Sequence, residues 1–175
     1  MFNDAVDTFL AQWAAERPEL DVTAMAPIGR LHRATRLVSR SIREYFNEQD
    51  MQEWEFDVLA TLRRAGSPYQ LSPKDLVAVT MVGSSALTHR IDHLVKRNYV
   101  TREVDPSNRR QLLLTLTAEG RELVDQVVEG HIKNENRLLE GLDPAEREQL
   151  NLLLRKLLLS LGDRCPTTEV ERLLR

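Results

Sequence analysis

The chain has 175 residues and a net charge of −3, and at 42% hydrophobic and 29% charged it has the size and apolar content of one folded, soluble domain. Its single cysteine, Cys165, excludes an intramolecular disulfide and a thiolate zinc site and fits a reducing, cytoplasmic setting. The apolar start is broken by Asp4, Asp7 and Glu16 and no long uncharged run follows, which argues against a signal peptide or a membrane span.

Asn3 is placed to cap a first helix running to about Arg17, with Val6, Phe9, Leu10 and Trp13 on one stripe and Pro18 ending it. A second, long helix is expected from about Thr23 to Gln49. Its apolar positions Ile28, Leu31, Val38 and Ile42 recur at helical spacing, and five arginines between Arg30 and Arg43 fill the remainder. The third helix, Glu53 to Ala65, turns Trp54, Val58 and Leu62 inward and stops at Gly66. Ser72-Pro73-Lys74-Asp75 is a capping box with proline at the first helical position, opening a short helix through Val79.

Met81-Val82-Gly83 then forms a tight turn into the stretch on which the chain is organised. Ser84 or Ser85 can cap a helix whose Leu87, Ile91 and Leu94 face a core, while Ser85, Thr88, His89, Asp92 and Lys96 form an outward row of polar groups. Strand-like runs Tyr99–Val104 and Gln111–Leu116 flank a turn at Asp105 to Asn108, with Arg109 and Arg110 beside it. Leu112, Leu114 and Leu116 alternate there, so one side of the hairpin is expected to be buried. Between Ser84 and Arg110 basic residues outnumber acidic ones by three, although the whole chain is acidic. A basic patch on an acidic protein points to phosphate contacts made at one surface. Short helix, turn with glycine, second helix with exposed donors and a basic hairpin together read as a winged helix-turn-helix.

After the wing, Thr117 caps a long helix to about Glu140 with Leu123, Val127, His131 and Leu138 near one line. Asp143-Pro144-Ala145-Glu146 caps the last main helix, whose eight leucines between Leu150 and Leu161 leave hardly any polar face. Such a helix needs more cover than one neighbour supplies, and the simplest cover is a second copy. The expected fold class is therefore mainly α with a small β-hairpin wing, forming an obligate-type homodimer through its N- and C-terminal helices. Residues 1–49 and 118–162 would supply the dimerisation helices, 50–117 the DNA-binding domain, and 163–175 a polar tail.

The residues Leu87-Thr88-His89-Arg90-Ile91-Asp92-His93-Leu94, Asp105-Pro106 with Arg109-Arg110, and Leu114-Thr115-Leu116-Thr117-Ala118-Glu119-Gly120 resemble the MarR family of winged-helix regulators, over about Ile28 to Leu161. The resemblance implies a homodimer on a palindromic double-stranded operator, usually beside its own gene, released by a small molecule or an oxidant. It implies that Ser84, Ser85, Thr88, His89 and His93 face bases and phosphates in the major groove, with Arg109 and Arg110 at the wing tip and Arg110 in the minor groove. His93, Asn108 and Gln111 depart from the residues the family often carries there, which keeps open a winged-helix module that binds protein instead of DNA.

The added N-terminal helix with Trp13, the run Glu55 to Arg64, Pro68-Tyr69 and Asn134 to Leu139 are similar to the urate-responsive branch of that family. By this resemblance Trp13, Asp57, Arg90 and Arg102 would bind a small aromatic anion, urate or another purine. A guanidinium offers such an anion paired charge-assisted donors and an indole offers a stacking face. The plainer alternative is a structural Asp57–Arg90 ion pair and a Trp13 that packs in a dimer core. A different phenolic or oxidant signal is a further alternative. The histidines are scattered, and no nucleophile triad or phosphate loop appears, so neither enzyme chemistry nor a metal or other cofactor is expected.

Overall fold

The computed structural model describes residues 3–79 and 87–163. The chain divides into two units, Met1–Glu44 and Tyr45–Arg175. Ser84, Ser85 and the preceding turn lie outside the described residues, as do Cys165 and most of the expected tail.

In the first unit, α1 (Ala5–Glu16) begins one residue later than Asn3 would set it. Asp4 is the cap: its Oδ1 accepts from the backbone of Val6 at 2.8 Å and Asp7 at 3.1 Å, and Asp7 Oδ2 accepts from the Asp4 backbone at 2.9 Å. A carboxylate suits the helix N-terminus better than an amide, because it meets unpaired N–H groups and the positive end of the helix dipole. Arg30 of α2 (Met25–Glu48) donates to both Asp4 and Asp7, and Gly29 gives Val6 room to pack against α2. The Arg30 guanidinium draws the Asp4 carboxyl below its ordinary value, against a weaker opposing push from burial.

The second unit opens with the last turn of α2. Tyr45 and Phe46 pack there with Phe56 of α3 (Glu53–Arg64) and His131 of α6 (Ala118–Leu138), and the Tyr45 hydroxyl donates to the Val127 carbonyl at 2.7 Å. Val58, Leu59 and Leu62 on α3 are buried with Val124 and Val127 on α6, so α3 is the central element of the core. The inward line of α6 thus runs through Val124 and Val127, one step round from Leu123. Gly66, at φ +76°, ends α3 in the left-handed conformation that glycine adopts without penalty.

Ser72 opens α4 (Pro73–Val79), its hydroxyl accepting from the Asp75 backbone at 3.1 Å and donating to the Asp75 carboxylate at 2.7 Å. After α5 (Leu87–Lys96) come β2 (Val100–Asp105) and β3 (Asn108–Leu116). A two-residue strand, β1 (Gln70–Leu71), pairs antiparallel with β3, giving a sheet of order β1-β3-β2 instead of an isolated hairpin. The expected alternation holds for Leu114 and Leu116, which are buried, but Leu112 is exposed opposite an exposed Val104. Among the described residues, no apolar side chains bury this distal pair as they bury Leu114 and Leu116. Finally α7 (Pro144–Ser160) is capped by Asp143 and buries none of its residues, leaving six of its leucines exposed along with Leu161. Among the described residues no helix is long and apolar enough to cross a membrane.

Candidate nucleic-acid interface

Helix α5 sorts its residues into three faces. Leu87, Ile91 and Leu94 are buried against the core. Of the outward row, Thr88, His89 and Lys96 are exposed, whereas Asp92 is half-buried and paired with Arg102. Between these faces, Arg90, His93 and Arg97 lie at i, i+3 and i+7 and turn toward the first turn of α3.

That third face makes the α3–α5 joint. The Arg90 guanidinium sits 5.3 Å from the centre of the Trp54 ring, and the His93 ring meets the same indole edge-on at 5.5 Å. Glu55 is buried, and its Oε1 lies 3.1 Å from both His93 Nε2 and Arg97 Nη1. His93, which the resemblance turns toward DNA, is exposed and at the same time in contact with α3. One edge of its ring is engaged with Trp54 and Glu55 of α3, while the side chain stays 48% exposed on a position only about 40° round the helix from His89. Arg97 also donates to the Asp50 carbonyl at 3.2 Å and covers the Tyr99 ring. Burial is the largest influence on Arg97 and opposes its charge, yet Glu55 and Tyr99 together hold its pKa above the ordinary value.

The wing is ordered by short polar contacts. Asp105 Oδ1 accepts from the backbone and the hydroxyl of Ser107, both at 2.7 Å, and the Ser107 hydroxyl bond leads the effects that lower the Asp105 pKa. Asn108 Oδ1 accepts from the Arg110 backbone at 3.2 Å. The Arg109 and Arg110 side chains stand exposed beyond this turn. At the base of the wing, Arg102 Nη1 donates to Asp92 Oδ1 on α5 at 2.7 Å. A groove of about 500 Å³ runs between α4 and the wing, lined by Ser72, Lys74, Asn108 and Arg110 among others. The exposed Lys74 thus joins the wing-tip arginine on one groove, and its sequence signal was its place in the capping box.

Of the four residues expected to bind an anion, Asp57, Arg90 and Arg102 lie in the second unit, on α3, α5 and β2. Asp57 is half-buried, Arg90 covers Trp54 and Arg102 holds Asp92. Trp13 is exposed on α1 in the first unit. A separate cavity of about 290 Å³ opens between α3 and α6, walled by Phe56, Ala60, Arg63, Val124 and His131 among others, and the buried His131 Nδ1 has no hydrogen-bond partner among the described residues. Arg63 is fixed at its edge by a two-point pair with Asp125, at 2.8 and 3.2 Å. Among the described residues no cluster of histidine, cysteine and carboxylate side chains could hold a metal ion.

Comparison with known proteins bears on the family and the fold. A family model described as MarR family matches residues 49–111. The transcriptional regulator PecS of Dickeya dadantii is 39% identical over 149 residues, covering 85% of this chain and 90% of PecS. A mutant of Escherichia coli MarR solved with operator DNA superposes with a TM-score of 0.67 at 30% identity, over 79% of this chain and 99% of that one. Bordetella bronchiseptica BpsR, whose DNA binding is regulated by 6-hydroxynicotinic acid, superposes with a TM-score of 0.66 at 30% identity, over 74% of this chain and 90% of that one.

Proposed function

This chain belongs to the MarR family of transcription regulators, and from that premise we propose that it is a homodimeric repressor of its own and a neighbouring gene, released from a palindromic operator by a small aromatic anion such as urate. The observation that carries the DNA-binding part is the outward row of α5, Thr88 and His89, standing in one unit with a basic wing whose tip is Arg109 and Arg110. Thr88 and His89, with Ser84 and Ser85 ahead of them, read base edges. Arg109, Arg110 and Lys74 bind phosphate or the minor groove, where cations supply affinity and little sequence preference. We assign the chain no catalytic role, and the relatives it matches are transcription regulators.

The dimer is argued from the exposed leucines of α7 and from Phe9 and Trp13 of α1, which stand exposed. The effector is argued from chemistry. Arg90 and Arg102 each hold a part of the reading machinery, Arg90 through Trp54 and Arg102 through Asp92. An anion that draws these guanidinia away, beside Asp57, shifts α5 and the wing together; Trp13 is the fourth residue that the resemblance assigns to the effector. A coupling of about 1–3 kcal/mol would lower DNA affinity roughly 5- to 150-fold. BpsR answers a small aromatic acid, which favours an effector of that class.

The test is a titration of the protein against the upstream DNA of its own gene, with and without urate, following the DNA shift and tryptophan fluorescence. Trp54 lies against Arg90 and His93, so the Trp13→Phe variant is needed to separate the two indoles. Release by urate, with quenching that Trp13→Phe diminishes, supports the reading. Binding without release keeps the regulator and discards urate.

A further inference from the structure

We propose that Glu55 is the positioning residue of the reading helix, and that His93 acts through Glu55 instead of touching DNA. The inference rests on the reading that α5 enters the major groove.

Glu55 has almost no exposed surface, at 2%. Its carboxylate is answered by the Gln52 backbone N–H at 2.8 Å, by Arg97 Nη1 at 3.1 Å and by His93 Nε2 at 3.1 Å. An ionised carboxylate only accepts, so the His93 nitrogen facing it is the one that carries hydrogen. A buried acidic group persists only while such partners stay in place. Of the three, His93 lies in the last turn of α5, Arg97 directly follows its end, and the third is the backbone just ahead of α3. The side chain is therefore a joint between the first turn of α3 and the last of α5.

Two neighbours stiffen that joint. Trp54, the residue before it, packs against Arg90 and His93, so one edge of α5 is held at positions 90 and 93 and again at Arg97, directly past its end. Arg97 continues to the Asp50 carbonyl, in a turn whose φ of +49° is unusual for a residue other than glycine. Holding one edge of a helix sets its rotation about its own axis. The outward row lies on a neighbouring edge, so a small roll of α5 would sweep Thr88 and His89 across the groove floor. Glu55 itself is buried and anionic and offers DNA nothing, so its effect on DNA must pass through α5.

Positioning predicts an uneven loss. Rolling α5 spoils contacts with base edges, but leaves the phosphate contacts of the wing, which dominate binding to unrelated DNA. A merely structural role would lower both kinds of binding together, in step with the folded fraction.

The experiment compares wild type, Glu55→Gln, His93→Gln, His93→Leu and the Glu55→Gln/His93→Leu double variant, all full length. A duplex selected by the wild-type protein from a random pool serves as operator, and a scrambled duplex as control. Each affinity is measured over a range of salt, with a thermal melt of each variant. Glu55→Gln is expected to weaken operator binding about tenfold or more and scrambled-duplex binding less than about twofold, at an unchanged salt slope. His93→Gln keeps a donor and stays near wild type. His93→Leu follows Glu55→Gln, and the double variant loses little beyond either single one.

Equal operator binding by folded Glu55→Gln and wild type overturns the inference, as does a loss shared equally by both duplexes. His93→Leu with a shallower salt slope also overturns it, by showing His93 on the DNA backbone. Should Glu55→Gln not fold, His93→Leu decides on its own: a lower operator-to-scrambled ratio at constant slope supports the joint, and an unchanged ratio removes it. A wild type that binds neither duplex removes the DNA-binding reading and this inference with it.

Discussion

Arg102, at the base of the wing, donates to Asp92 on α5 at 2.7 Å, so the hairpin and the reading helix share one ion pair. Both side chains are well over a third exposed, and such a pair contributes at most about 1 kcal/mol to folding. Its weakness suits a contact that an anionic effector displaces. Arg102→Ala is expected to leave the melting midpoint within a few degrees of wild type and to blunt release by urate at least about tenfold. Gel-shift titrations with rising urate check this, and an undiminished response removes Arg102 from the effector site.

The wing-tip and helix residues should fail in different ways. Arg110→Ala is expected to weaken binding to all duplexes about equally and to reduce the salt slope by about one, as the loss of one phosphate contact does. His89→Ala is expected to cost about 1–3 kcal/mol on the selected operator and to relax preference at one or two base pairs. Binding curves over a set of single-base operator variants separate the two. An Arg110→Ala protein with wild-type affinity at moderate salt refutes the wing assignment.

Gly120 is where α6 meets the turn between α5 and β2. A Cβ there would run into the backbone carbonyl of Tyr99 and come within 3.0 Å of Leu116 Cδ1. The same junction is tied by Thr117 Oγ1, which donates to the Asn98 carbonyl at 2.8 Å and accepts from the Gly120 backbone at 2.9 Å, so it has little freedom to shift. Gly120→Ala is expected to destabilise folding by about 1–3 kcal/mol, the usual range for overpacking, and to lower the melting temperature by several degrees. DNA affinity per folded molecule should be unchanged. A melt indistinguishable from wild type would contradict the tight junction.

For α7 the prediction concerns mass. Leu153 is 59% exposed in the single chain, so Leu153→Glu disturbs little that the chain packs by itself. If a second copy covers this face, the substitution shifts sedimentation from dimer toward monomer at micromolar concentration and lowers the melting temperature. An unchanged sedimentation coefficient would mean that the dimer forms elsewhere.

Most helices were readable because their signals are local: a capping side chain, apolar residues at steps of three and four, and a glycine or proline at the end. The Ser72 box and Asp143 act as their spacing suggests. Strand β1 was not readable, since two residues carry no periodicity and Gln70–Leu71 become a strand only by pairing with Thr115 and Leu114. Leu112 misled for a related reason. Alternation tells which side of a strand a residue takes, but not whether anything packs on that side, and Leu112 and Val104 stay exposed. At the interface, charge and exposure pointed to Thr88, His89 and the wing arginines, while Trp54 and Glu55 looked like an ordinary first helical turn. Their meaning lies in a meeting with α5 some 35 to 40 residues further on, and nothing in their local pattern records it.

The division of α5 into an exposed row and a mounted row also bears on how such a regulator could acquire a new target. Thr88 and His89 share no hydrogen bond or ring contact described above with Trp54 or Glu55, so mutation can explore the reading surface as though changing the cutting edge of a key while its bow stays in the hand. Duplicated genes carrying this chain could diverge in target sequence by drift at a few exposed positions. Each intermediate would keep the same seated helix, and so would remain a competent regulator of something while its old site faded and a new one took hold.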